Sequence, residues 1–323
     1  MKILLFEYAV GSGEIVENNI FEEGKLMFDK LLNSFLNDGF SVVSIVDDKT
    51  SRDYYNRSEA KSYENRRFSF NLLKNIPNLE VYTPGKDYKS KLNELLANRD
   101  IDMVLIIAPE CDNILYDLTK IVEEQNVINL GSSSKGIKIA GNKYLTYNKI
   151  KDYVKTPKTF SLKKYIAKEV DGCGGAHQVI DENHIIQEFV EGESYSVSFI
   201  VQNRGSNRKI YPLCLNKQYI DEKYCGGEIN VSHPLKDKII EESEKALKRI
   251  NGLNGYVGVD VLVNGDDIYI LEINPRITTS IAGLEISPSL SKLLVDNVFE
   301  KELTYKLNKG KRFMRKEFGF EFF

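Results

Sequence analysis

Three oxygen-bearing side chains, Asp260, Glu272 and Asn274, interrupt two otherwise apolar runs, 256-YVGVDVLV-263 and 268-IYILEIN-274. Both runs are rich in β-branched residues, and Asn264-Gly265-Asp266-Asp267 between them is a hairpin signal. Glu272 and Asn274 are two positions apart, so a strand points them to one face. A hairpin can bring Asp260 onto that face from the partner strand. Two carboxylates and a carboxamide in an apolar setting repel one another and lose solvation. A divalent cation removes both costs. An all-oxygen set suits Mg²⁺, which keeps some waters and takes further ligands from substrate phosphates. Arg276 follows directly, with a fork suited to phosphate oxygens. The same pattern also suits a surface hairpin whose acids face water.

Further candidates lie upstream. Lys168 precedes 171-DGCGGA-176, where Gly172, Gly174 and Gly175 let backbone N–H groups approach an anion. No Gly-Lys-Ser/Thr follows, so this is not a Walker loop, and it does not match the Rossmann fingerprint. In 187-QEFVEGE-193, Glu188 and Glu193 bracket the apolar pair Phe189-Val190. That arrangement can seat a purine and its ribose, or it can be a β-turn with solvated acids.

The elements that must position these residues follow from the hydrophobic pattern. Lys2 to Phe6 reads as a buried strand and Glu7 to Gly13 as a loop. A helix follows from about Phe21 to Asn37, with Leu26, Phe28, Leu31, Leu32 and Phe35 on its apolar positions, and Asp38-Gly39 stops it. Phe40 to Val46 is a second strand. This β-loop-α-β opening predicts a parallel sheet with helices on its faces. A short strand at Leu79 to Tyr82, a helix at Tyr88 to Asn98, a strand at Ile101 to Ala108, a helix to about Gln125 and a strand at Val127 to Leu130 continue it. Ligands in such sheets collect beyond the carboxyl ends of strands. The loops after Phe6 and Ala108, carrying Glu7 and Glu110, are therefore candidate walls, although each also reads as an ordinary connection.

Gly131-Ser132-Ser133-Ser134 marks a boundary. Short helices around 135–139 and 143–151, a strand over 164–170 and strands within 185–202 and 209–219 come next. Cys225-Gly226-Gly227-Glu228 reads as a flexible loop, and Pro234 opens a helix to about Ile250. After the hairpin, a helix spans about Ser289 to Phe299, and the last two dozen residues read as a tail whose apolar end packs on the body.

The bulk properties exclude several classes. The 323 residues suffice for two or three domains, with 42% hydrophobic and 28% charged residues, as in soluble globular proteins. A net charge of -3 offers no general attraction to nucleic acid or an anionic membrane, so neither is expected as a partner. The four cysteines form no C-x-x-C pair, which argues against zinc or redox motifs and suits a reducing cytoplasm. The apolar run before Glu7 is too short for a signal peptide, and none reaches membrane length.

Taken in order, the lysine in 141-GNKYLTY-147, Lys168 before its glycine loop, 187-QEFVEGE-193, and Asp260, Glu272, Asn274 and Arg276 resemble the ATP-grasp superfamily over about Gly131 to Val295. The segments 5-LFEYAVGSG-13, 22-EEGKLMFDKLL-32, 171-DGCGG-175, 213-LCLNKQYI-220 and 274-NPRITTS-280 are similar to one branch of it, the archaeal tyramine–glutamate ligases of methanofuran biosynthesis. The resemblance implies an α/β protein, α+β in its catalytic part. A parallel-sheet pre-ATP-grasp domain (1–131) would precede a small lid subdomain (132–187), a large subdomain with the metal hairpin (188–300) and a C-terminal tail (301–323).

It also implies roles. Lys143 and Lys168 would contact the nucleotide, and the loop with Gly172, Gly174 and Gly175 would close over its phosphates. Glu188, Phe189 and Val190 would line the adenine and Glu193 the ribose. Asp260, Glu272 and Asn274 would hold two Mg²⁺ ions, with Mn²⁺ able to substitute. Arg276, with Lys168, would serve the transfer itself. Glu7, Lys217, Thr278, Thr279 and Ser280 are candidates for the substrate pocket. The implied reaction is ATP-dependent amide formation between an amino acid, glutamate at its γ-carboxylate, and an amine, tyramine, in a cytoplasmic homodimer. Another peptide ligase of the D-alanine–D-alanine type and a non-catalytic ATP sensor are the alternatives. One departure is that Glu169 follows Lys168 where related chains often have proline.

Overall fold

The first apolar run, Lys2–Glu7 (β1), becomes the middle strand of a parallel sheet in the computed structural model. The structure describes residues 1–47, 76–98, 100–161, 163–168, 171, 177–204, 207–221, 223–316 and 319–323. The stretch 51–75, Glu169, and the loop with Gly172, Gly174 and Gly175 lie outside them. After β1 come α1 (Tyr8–Gly11), α2 (Asn18–Asn37), β2 (Ser41–Ile45), β3 (Leu79–Tyr82), α3 (Tyr88–Asn98), β4 (Met103–Ile107), α4 (Ile114–Glu123) and β5 (Ile128–Asn129). The strand order is β3-β2-β1-β4-β5. The chain winds one way from β1 and the other way from β4, so their carboxyl ends flank a crevice. Ile3 and Leu5 pack on α2 through Met27, Phe28, Leu31 and Phe35, while Leu4 and Phe6 pack on α3 and α4.

Two capped helices lead into the second half. Ser133 caps α5 (Ser134–Ala140) and Asn142 caps α6 (Lys143–Ile150), its side chain accepting from Leu145 N at 3.0 Å. Two small antiparallel ribbons follow. One pairs β6 (Thr159–Ser161) with β9 (Ile185–Gln187), and the other pairs β7 (Tyr165–Ala167) with β8 (Gln178–Ile180). Lys168 therefore sits just past its strand rather than within it.

Among the described residues, the largest sheet has seven antiparallel strands. In chain order they are β10 (Glu193–Arg204), β11 (Asn207–Asp221), β12 (Lys223–Glu228), β13 (Gly255–Asn264) and β14 (Asp267–Asn274). The small pair β15 (Ile286–Ser287) and β16 (Lys306–Leu307) intervenes before β17 (Arg312–Arg315) and β18 (Phe320–Phe322) complete it. The spatial order is β14-β13-β10-β11-β12-β17-β18. One face buries Val257, Val259, Val261, Ile268 and Ile270 beneath α7 (Lys236–Leu247). Another helix, α8 (Leu290–Val298), joins α2 and the far side of β10 and β11 in a shared core.

The expected loop at Cys225 to Glu228 is instead part of β12. The glycines there serve close approach rather than a turn. A Cβ at Gly226, whose φ is +139°, would lie 2.2 Å from the carbonyl oxygen of Phe313 on β17.

Candidate active site

The hairpin forms as the sequence predicts, with Asn264 opposite Asp267 and Asp260 opposite Glu272. The register shifts between Asp260 and Val261, which leaves Leu271 as an extra residue on β14. This bulge decides where Glu272 points. Ile268 and Ile270 face the core, and strict alternation would send Glu272 and Asn274 after them. The extra residue resets the phase, so Ile273 is buried and Glu272 and Asn274 turn to the opposite, polar face. The irregular spacing Ile268, Ile270, Ile273 is the sequence signal for it.

On that face the Asn274 amide donates to Asp260 Oδ2 at 3.2 Å, and Gln218 Nε2 donates to Oδ1 at 3.1 Å. Burial, then the neighbouring Glu272 charge, push the Asp260 carboxyl up to about 8. Burial works the same way on Glu272, but the Lys143 ammonium, which ion-pairs with it, the hydrogen bond with Asp260 and the Arg276 charge together outweigh burial and hold it below its ordinary value. Among the described residues, no three His, Cys, Asp or Glu side chains converge as a metal site. The cluster is two carboxylates and one carboxamide. Its chemistry fits a hard divalent cation, since all donors are oxygen and the acids destabilise one another without a counter-charge.

The crevice of the parallel sheet meets this face. Arg276 Nε pairs with Glu110 Oε1 at 2.9 Å, and Nη1 donates to the Ile277 carbonyl at 3.1 Å. Burial disfavours the Arg276 charge, but Glu110, Glu272 and Glu23 more than restore it. Glu110, in the loop after β4, thus meets the residue that follows the hairpin. Tyr256 and Thr278 share a hydrogen bond at 2.8 Å, Thr279 Oγ1 donates to Glu23 Oε2 at 3.1 Å, and Ser280 is buried.

Glu7 is buried at the end of β1, where it caps α1 by accepting from Val10 N at 2.8 Å. The expected loop after Phe6 therefore begins as a short helix. A Cβ at Gly24 of α2 would lie 2.5 Å from Glu7 Oε1, so glycine there makes room for the carboxyl. Burial pushes Glu7 up to about 7, against the Val10 and Ala9 N–H groups and the Arg276 charge. A carboxyl raised above its unfolded value favours the fold when protonated and loses that contribution as pH rises through the folded value. Glu7→Gln should therefore flatten the stability profile: between pH 5 and 8 the wild type should lose up to about 3 kcal/mol relative to the variant. Thermal melts of both proteins at the two pH values read this out, and parallel profiles would refute it.

The other predicted residues lie toward the small ribbons. Glu188 Oε2 accepts from Lys158 N at 3.1 Å, Val190 is half-buried, and the Phe189 ring is 88% exposed. Glu193 pairs with Lys217 at 3.2 Å and accepts from the Tyr195 hydroxyl at 2.7 Å. Lys217, read above as a substrate-pocket residue, thus stands beside the residue read as a ribose contact. Lys168 is exposed. The sequence reading passed over Gln218, Glu23 and Arg315. Gln218 was open to detection, because 213-LCLNKQYI-220 reads as a strand whose alternate residues share the polar face.

Residues 140–280 match the model of the ATP-grasp domain, and residues 69–137 match that of the pre ATP-grasp 3 domain. The chain is similar to the tyramine–L-glutamate ligase of Methanocaldococcus fervens, at 54% identity over 96% of the chain and 98% of that protein. It is also similar to the enzyme of the same name from Methanocaldococcus jannaschii, at 51% identity over 96% and 93%. Among solved structures, an ATP-grasp superfamily protein from Archaeoglobus fulgidus aligns over 100% of the chain and 98% of its own, with a TM-score of 0.71 and 27% identity.

Proposed function

The chain belongs to the ATP-grasp family, and from that premise we propose that it is an ATP- and Mg²⁺-dependent ligase joining the γ-carboxylate of L-glutamate to the amine of tyramine. The observation that carries this reading is the oxygen cluster of Asp260, Glu272 and Asn274 facing Arg276, in a chain 54% identical to an enzyme of that name.

A carboxylate resists an amine because its charge repels nucleophiles and oxide leaves poorly. Attack of the γ-carboxylate oxygen on the terminal phosphorus of ATP breaks the bond to the bridging oxygen and releases ADP. The neutral amine then attacks the acyl carbon, and phosphate departs. These steps need alignment and charge neutralisation more than covalent help. Asp260, Glu272 and Asn274 would hold two Mg²⁺ ions, which Mn²⁺ could replace, and the bound metal supplies neutralisation at the phosphates. Lys143 offers Glu272 a counter-charge and stands ready for phosphate oxygens. Lys168 and the loop carrying Gly172, Gly174 and Gly175 would cover the phosphates, with adenine at Glu188, Phe189 and Val190 and ribose at Glu193. Arg276 would stabilise the transferring group and the acyl phosphate. Glu7, Lys217, Thr278, Thr279 and Ser280 complete the proposed pocket.

The proposed divisions are 1–131, 132–187, 188–300 and 301–323, in a cytoplasmic homodimer serving methanofuran biosynthesis. Among the described residues no helix is long and apolar enough to cross a membrane. Purified protein given ATP, Mg²⁺, glutamate and tyramine should form γ-glutamyltyramine and release ADP and phosphate in equal amounts, followed by mass detection of the amide. AMP and pyrophosphate would overturn the acyl-phosphate route, and an amide from another acid or amine in a substrate panel would overturn the substrate assignment.

A further inference from the structure

Two charged residues have no task in the scheme above, although they stand beside it. Glu23 comes from α2 and Arg315 from β17, at positions 292 residues apart, and their side chains form an ion pair. Thr279, three residues after Arg276, donates to the second oxygen of Glu23 at 3.1 Å. Arg315 Nε donates to the Tyr224 carbonyl at 3.2 Å, and the guanidinium lies 5.2 Å from the centroid of the Phe320 ring. The fork is therefore held by a strand, a ring and a carboxylate. Its remaining nitrogen, Nη1, makes no hydrogen bond among the described residues. The two side chains are 22% and 27% exposed.

The pair is also close to the chemistry. Glu23 is among the charges that keep Arg276 protonated, and Asp260, Glu23 and Arg315 all act on the Tyr224 phenol. An amino acid that reacts at its side-chain carboxylate must leave its α-ammonium and α-carboxylate somewhere nearby. Those groups need one acidic and one basic partner side by side. Tyramine carries an ammonium and a phenol but no carboxylate, so it would leave an arginine unused. A partly exposed ion pair is only modestly held, and close charge pairs desolvated beneath a ligand reach larger coupling energies in some interfaces. Exchange of the internal pair for two pairs with a zwitterion is therefore chemically favourable.

We propose that Arg315 and Glu23 form the α-carboxylate and α-ammonium clamp of the acid substrate, so that strand β17 makes the enzyme selective for an α-amino acid. This rests on the reading of glutamate as the acid. Both are specificity residues and take no part in bond making.

Steady-state kinetics can test it with glutamate, with γ-aminobutyrate, which lacks the α-carboxylate, and with glutarate, which lacks the α-ammonium. The wild type should discriminate strongly against both analogues. Arg315→Met should raise the KM for glutamate by about 30-fold or more, leave the KM for ATP within about two-fold, and abolish discrimination against γ-aminobutyrate. Arg315→Lys should recover part of the glutamate affinity. Glu23→Gln should show the matching loss against glutarate. A merely structural latch would lower the melting temperature of the variants and leave the glutamate KM and both selectivity ratios unchanged, which would overturn the proposal. Wild-type protein that ligates no glutamate would instead overturn the functional reading, and the clamp with it.

Discussion

Asp260→Asn should lower turnover on the order of 10²–10³-fold while raising the melting temperature of the metal-free protein. The two effects share one cause. Asp260 sits under burial and beside Glu272, so its charge is costly in the fold, and its carboxyl is pushed up to about 8. As with Glu7, the raised value means that stability is greatest at low pH and falls as pH rises toward 8. Asparagine keeps the shape and one acceptor for Gln218 or Asn274 but never ionises. Its stabilising effect should therefore grow between pH 5 and 8. The same charge is what a divalent cation requires, so the substitution removes a proposed ligand. Melts with and without MgCl₂ separate the two: Mg²⁺ should raise the wild-type melting temperature at pH 8 and leave the variant nearly unmoved. A variant that keeps a tenth of wild-type ADP release, or gains as much from Mg²⁺ as the wild type, would remove the oxygen cluster from the mechanism.

Arg276→Met should have a comparable effect on rate, again on the order of 10²–10³-fold, because it removes a fixed positive charge from the position proposed to face the transferring group. Here stability should fall as well. The Glu110 carboxylate, 16% exposed, would lose its 2.9 Å partner. An uncompensated, largely buried charge costs about 1–3 kcal/mol in such a setting. Adding Glu110→Gln should restore most of the stability and none of the activity. Urea denaturation and ADP release measured on the wild type, the single variant and the double variant make the separation visible. Activity returning together with stability would mean that Arg276 is only a strut between the two sheets.

The hairpin and the parallel opening were legible because each is local. Asn264-Gly265-Asp266-Asp267 specifies its own turn, and the apolar periods of β1 and α2 lie within a few residues of each other. The glycine run in β12 was misread because glycine marks both turns and close contacts, and only the position of Phe313 tells which applies. The bulge at Leu271 left a trace in the spacing of three isoleucines. Glu23 and Arg315 left none. Their meeting depends on β17 joining the sheet beside β12, and pairing between distant segments is set by the whole fold rather than by either segment. The pairing of Arg276 with Glu110, 166 positions earlier, was anticipated only as a loop at a strand end.

The supernumerary residue in β14 also bears on how this chain can diverge. Branched apolar residues there can be exchanged one at a time, because each exchange disturbs a single contact. A regular strand that kept Leu271 would turn both oxygen donors toward hydrocarbon at a stroke, whereas loss of the Leu271 codon would abolish the bulge and leave both on the polar face. For descendants of this gene, what is constrained is that the isoleucines and the two donors stay on opposite faces, with the extra residue bulged or absent.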